Sequence, residues 1–175
     1  MTLDPTILPI ENKVASSGLI TLDLETFSHP GERILFDIKP WLFREMILKE
    51  KDFRESVKQH NWAQYTGKNL AFTCTADTLI PTWAYMLLAI EAEPYAHRYA
   101  FGDLQTLETL LFQEALDALD PNEFAGKRII IKGCGKVHVP VSAYVEITHK
   151  LMPVAKTIMY GEACSSVPLF KRVGA

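Results

Sequence analysis

From Lys68 onward the chain changes character at regular intervals, passing from a short apolar run through a turn into a longer stretch with helical spacing. "KNLAFTC" precedes "IPTWAYMLLAIEAE", "YAHRYAF" precedes "LQTLETLLFQEALDALD", and "GKRIIIKG" precedes "VPVSAYVEITHKLMPVAKTIMYG". Apolar runs this short read as buried strands, since a strand covered on both faces loses the alternation of a half-exposed one. Parallel neighbours need long, right-handed crossovers, and the intervening helices supply them. Pro81 suits a first helical turn and Asp103 is placed to cap the next helix. Pro153, with no amide hydrogen, should kink or break the last one.

Upstream, "SGLITLDLETF" and "GERILFDIKPW" alternate apolar and polar residues around a Ser28–Gly31 break, which predicts an antiparallel hairpin. Trp41, Met46, Leu48 and Phe53 belong to a charged stretch through Lys58 that suits a surface helix. The expected fold is therefore three-layer α/β, a mostly parallel sheet with helices on both faces and an N-terminal antiparallel hairpin. One domain over residues 1–175 is expected, with an irregular leader over residues 1–15. No internal repeat, low-complexity segment or long linker is expected.

Bulk properties narrow the function classes. A formal net charge of -3 argues against a nucleic-acid binder, which concentrates basic residues against phosphates. "WAYMLLAI" falls far short of a bilayer span, and the N-terminus has no secretory pattern. A cytoplasmic location is the expectation, with Cys74, Cys134 and Cys164 as thiols.

Parallel strands place their carboxyl ends on one edge, where open α/β sheets hold their ligands. Three successive strand ends carry Cys74 and Asp77, then Asp103, then Gly133, Cys134, Gly135 and Lys136, so a ligand pocket built from these residues is expected there. Cys74, Cys134, Cys164 and His138 are candidate ligands for zinc or iron, because thiolate and imidazole suit tetrahedral sites. The competing reading makes Cys74 a core residue and the Gly133–Gly135 stretch a turn. Cys134 is also a candidate nucleophile or redox thiol assisted by His138 or Asp103. Backbone amides of the glycine turn, with Lys132 or Lys136, offer a weaker anion cradle. Ser165, Ser166 and His149 lack a supporting motif. Asp23, Glu25 and Asp37 read as a solvated sheet face. On the aromatic helix, Trp83 and Tyr85 cannot both face one core, which leaves a homodimer contact as an alternative to burial.

The phrases "SGLITLDLE", "IPTWAYMLL", "FGDLQTLETLLFQEAL", "IIKGC" and "IMYGEACSSVPLFKR" resemble an uncharacterised family of small bacterial proteins, a domain of unknown function. The resemblance runs from Glu11 to Arg172. It implies an association with SUF-type iron–sulfur cluster assembly, through neighbouring genes, and hence assembly proteins as partners. It implies no activity. The leading expectation is an accessory or binding protein linked to metal or iron–sulfur metabolism; a thiol-dependent enzyme using Cys134 and a protein-interaction module are the alternatives.

Overall fold

The computed structural model describes residues 18–133 and 135–173. The leader expected over residues 1–15 and the candidate thiol Cys134 lie outside the described residues. The chain contains strands β1 (Leu19–Asp23), β2 (Arg33–Asp37), β3 (Asn69–Thr73), β4 (Arg98–Phe101), β5 (Arg128–Lys132), β6 (Thr157–Tyr160) and β7 (Val167–Lys171). Its helices are α1 (Glu50–Gln59), α2 (Thr82–Ala92), α3 (Leu104–Asp117) and α4 (Val141–Leu151). The α/β class is as expected, and Asp103 caps α3 by accepting the Thr106 N–H at 2.8 Å. Helix α4 ends at Leu151, two residues before Pro153.

The chain divides into two compact units. The first holds a four-stranded sheet in the order β1-β5-β6-β7, in which β1, β5 and β6 are parallel and β7 runs antiparallel to β6. The second holds the all-parallel sheet β2-β3-β4. There Phe36, Leu70 and Phe72 pack with Phe53 and Val57 of α1 and Ala84, Leu88 and Ala92 of α2. Ala71 and Ala100 pack on the other face with Leu107 and Leu111 of α3. This unit thus has the expected three layers, and each large apolar side chain fully removed from water contributes about 1.5–3 kcal/mol.

Three expectations are corrected. β1 and β2 do not form an antiparallel hairpin; β1 pairs with β5, β2 with β3, and both pairings are parallel. Alternation identifies a half-exposed strand but not its partner, and each of these strands is the edge of its own parallel sheet. There are also two sheets rather than one.

The third correction concerns repetition. Residues 62–103 and 121–162 are two copies of one β-α-β element, matched without a gap at an offset of 59, as Gly67 is to Gly126. The matched pairs include Lys68 and Lys127, Pro81 and Pro140, Tyr85 and Tyr144, Pro94 and Pro153, and Gly102 and Gly161. The short helix Trp62–Tyr65 matches Pro121–Phe124, and α2 matches α4 end to end. Matched glycines share left-handed or otherwise positive φ: Gly67 and Gly126 at 73° and 67°, Gly102 and Gly161 at 135° and 111°. Only glycine adopts these without strain. Hydrogen bonds recur too: Gly67 N–H to Tyr95 O matches Gly126 N–H to Val154 O, and Gly102 N–H to Phe72 O matches Gly161 N–H to Ile131 O.

The first strands correspond at a different offset, with Asp23 matching Asp37, 14 positions apart. Their burial runs in the same order along both strands. Strand registers then coincide: Leu19 faces Arg128 where the matched Arg33 faces Asn69, and Arg128 faces Thr157 where Asn69 faces Arg98. Each unit is therefore a copy of one three-stranded parallel motif. β7 is added to the first, α1 and α3 to the second.

Candidate functional site

In the first unit the carboxyl ends of β1, β5 and β6 surround a cavity of about 470 Å³. Its lining is Asp23, Glu25, Lys132, Gly133, Gly135, Lys136, Gly161 and Glu162. Ile129, Ile130 and Ile131 are buried along β5, so Lys132, the polar residue at the strand's carboxyl end, emerges where the apolar core ends. Its ammonium stands 3.5 Å from Asp23 Oδ2 and 3.6 Å from Glu162 Oε1. Those carboxylates, Glu162 foremost, raise the Lys132 pKa above its ordinary value. Asp23 is itself fixed, because its Oδ1 accepts the Glu25 N–H at 3.1 Å and its backbone oxygen accepts the Thr26 hydroxyl at 2.7 Å.

The loop after β5 is shaped by close approach. A Cβ on Gly133 would lie 2.6 Å from Tyr144 Oη and 3.2 Å from Leu24 Cβ, and one on Gly135 would lie 2.6 Å from Glu25 Oε1. Both distances are below contact, which excludes any larger residue without rearrangement. Tyr144 Oη donates to Gly133 O at 2.8 Å. The Gly135 and Lys136 N–H groups both donate to the Glu25 carboxylate, the second at 3.0 Å. Adjacent amides thus do converge on an anion, and the anion is the chain's own Glu25.

The residues expected to share one edge divide between the units. Gly133, Gly135 and Lys136 line the first-unit cavity. Cys74, Asp77 and Asp103 belong to the second unit, at the ends of β3 and β4. The premise that all these strands share one sheet edge is corrected by the two-sheet topology. What relates the two sets is the repeat: Cys74 matches Gly133, Asp77 matches Lys136, and Asp103 matches Glu162. Cys74 is half-buried against the apolar core of its unit. Cys164 is exposed in the turn between β6 and β7, and His138 is exposed outside the cavity lining. Among the described residues, no three His, Cys, Asp or Glu side chains are grouped to hold a metal ion.

The second unit's matched edge is closed differently. Thr73 stands where Lys132 does in the first unit, and Asp37 where Asp23 does. The Asp37 carboxylate accepts the Thr75 hydroxyl, the Thr75 N–H at 3.1 Å and the Lys39 N–H at 2.9 Å. Burial opposes ionisation of Asp37, but these hydrogen bonds, the Thr75 hydroxyl first, and the Lys39 charge outweigh it and hold the carboxyl below its usual range.

Sequence reasoning missed Asp23, Glu25, Gly161 and Glu162. Assigning the first strands to a hairpin turned Asp23 and Glu25 onto a solvent face. The available signals were the Asp closing both early strands and the Gly-acid pairs Gly102-Asp103 and Gly161-Glu162.

A family model described as "Protein of unknown function (DUF2480)" matches residues 9–172. No curated protein and no solved structure matches the chain. Among the described residues, no helix is long and apolar enough to cross a membrane.

Proposed function

We propose that this chain, which belongs to the family of proteins of unknown function DUF2480, is a cytoplasmic accessory protein that binds a small polar ligand at the carboxyl ends of β1, β5 and β6. The observation that supports this reading is the convergence of three parallel strand ends on one cavity whose lining, among the described residues, consists of Asp, Glu, Lys and Gly. Ligands of open parallel sheets bind at that edge. Lys132 is held between two acids and Glu25 across two amides, so the polar groups meet a ligand already oriented, which lowers the cost of binding. Because both signs of charge line the cavity, the ligand class we favour carries both, as an amino acid or amino sugar phosphate does.

The link to metal or iron–sulfur metabolism comes from the family resemblance and is part of the same proposal. Gly133 and Gly135, the sequence neighbours of Cys134, both line the cavity. Iron delivered there would meet the carboxylates of Asp23, Glu25 and Glu162.

A thermal-shift screen of amino acids, amino sugar phosphates and, under anaerobic conditions, ferrous iron and zinc tests the reading. A bound ligand at about a hundredfold over its Kd stabilises the fold by about 2.7 kcal/mol. Stabilisation of the wild type that is lost in Lys132→Ala is expected for an organic ligand; stabilisation by iron lost in Cys134→Ser would establish the metal branch. Failure of the whole screen, or shifts that survive both substitutions, would refute binding at this edge.

A further inference from the structure

We infer that β4 is an interface strand whose open edge pairs antiparallel with β4 of a second copy of this chain. β4 is paired with β3, and no described residue hydrogen-bonds to its other edge. The bond from the Gly102 N–H to Phe72 O sets the alternation, so Tyr99 and Phe101 aim their N–H and C=O groups away from β3. A cavity of about 550 Å³ adjoins this strand, lined by Phe72 of β3, by Tyr85, Met86 and Ala89 of α2 and by Tyr99, Ala100 and Phe101 of β4. Side chains alternate between sheet faces, so Ala100 projects opposite to Tyr99 and Phe101. The cavity therefore lies on the face that packs against α2, beside Tyr99 and Phe101.

The repeat shows what such an edge accepts. β6, the copy of β4, carries β7 antiparallel, with Tyr160 facing Val167 and Ile158 facing Phe170. The flanking ring pair recurs as well: Tyr144 meets Tyr160 edge-on at 5.8 Å, and the matched Tyr85 meets Phe101 edge-on at 4.8 Å. Among the described residues, the second unit has nothing in the place of β7. Strand β7 resists further pairing, since Pro168 has no N–H to offer and Lys171 adds charge. β4 has no proline, and its one charged residue, Arg98, is paired with Glu114.

A second copy is the occupant that the charges favour. Antiparallel pairing of a strand with its own copy is two-fold symmetric, with Tyr99 of one copy opposite Phe101 of the other and the two Ala100 residues opposite each other. Such an interface must tolerate itself. Met86, Phe101 and Ile90 are 61%, 66% and 66% exposed and uncharged, and Arg98 is neutralised by Glu114 at 2.8 Å. No unpaired like charges on β4 meet across the axis, and apolar area is removed from water on both copies.

Sedimentation equilibrium of the full chain over a concentration series tests this independently of ligand binding in the other unit. The expected result is a monomer–dimer equilibrium shifted about tenfold or more toward monomer by Phe101→Pro, which deletes one outward N–H from each edge. Met86→Glu, on an exposed side chain that folding does not need, should do the same by setting charges against an apolar contact. Far-UV circular dichroism checks that both variants fold. A monomer at every concentration, or a dimer indifferent to Met86→Glu, would overturn the inference. So would a monomer that instead captures a synthetic extended peptide along β4, which would give the edge to a different chain.

Discussion

The two units share a backbone plan and part at their strand ends. In the first, Asp23, Lys132 and Glu162 leave an open, charged cavity; in the second, Thr75 and Lys39 close over Asp37 and no lysine stands at Thr73. Their cores diverge in the same way. Ile130 of β5 matches Ala71 of β3, where Leu107 and Leu111 of α3 fill the space that a larger side chain would need. The scaffold thus fixes where strand ends lie, while single residues at those ends decide whether the edge is a binding surface or a hydrogen-bonded seal.

The largest expected effect comes from exchanging core residues between the copies. Ile130→Ala should destabilise the protein by about 2–5 kcal/mol, since Ile130 is fully buried and, among the described residues, the first unit has no helix like α3. The converse change, Ala71→Ile, overpacks against α3 and should cost about 1–3 kcal/mol. Urea unfolding measures both. Equal tolerance of isoleucine and alanine in the two units would break the comparison.

Next is the loop after β5. Gly133→Cys copies the second unit's Cys74 into the first, and the approach of Tyr144 Oη to within 2.6 Å of the new Cβ predicts a loss of about 1–3 kcal/mol. Shortening the neighbour in Tyr144→Phe should recover part of it, read from the same denaturation curves.

How far the sequence carried this picture depends on the residue. Helices α2 and α3 and the buried strands β3 and β5 were legible, because apolar runs and helical spacing report burial directly, whereas α1 begins only at Glu50 and the stretch after Pro153 holds β6 instead of helix. Asp103 was legible as a cap. Partner choice was not: β1 and β2 alternate as any half-exposed strand does, and nothing in "LITLD" or "RILFD" names β5 or β3 as the neighbour. The repeat was hidden because it has two offsets, 14 for the first strands and 59 for the β-α-β elements, and because few matched residues are identical beyond those at turns and helix starts. Once β1 was assigned to a hairpin, Asp23 and Glu25 dropped out of the site. Gly133, Gly135 and Lys136 were found because a glycine-lysine loop at a strand end is conspicuous whatever the strand's neighbours.

Smaller effects should follow pH. The depressed pKa of Asp37 contributes stability that is present above its unfolded value, near 3.8, and is lost as pH falls through the folded value. Asp37→Asn should therefore flatten the acid limb of stability below about pH 4. Lys132 has the opposite sign: its raised pKa contributes stability below its unfolded value, near 10.5, which is lost as pH rises through the folded one. Lys132→Ala should alter only that alkaline limb. Thermal melts over a pH series separate the two, and a shared acid or alkaline response would erase the distinction between the strand ends.

The most direct measurement is amide chemical-shift mapping by NMR with whichever screened ligand stabilises the fold. The structure predicts shifts at Asp23, Glu25, Lys132, Gly161 and Glu162, with the matched positions Asp37, Lys39, Thr73, Gly102 and Asp103 unmoved. Shifts at the second set, or equal shifts at both, would contradict the claim that one copy of the motif binds and the other is sealed.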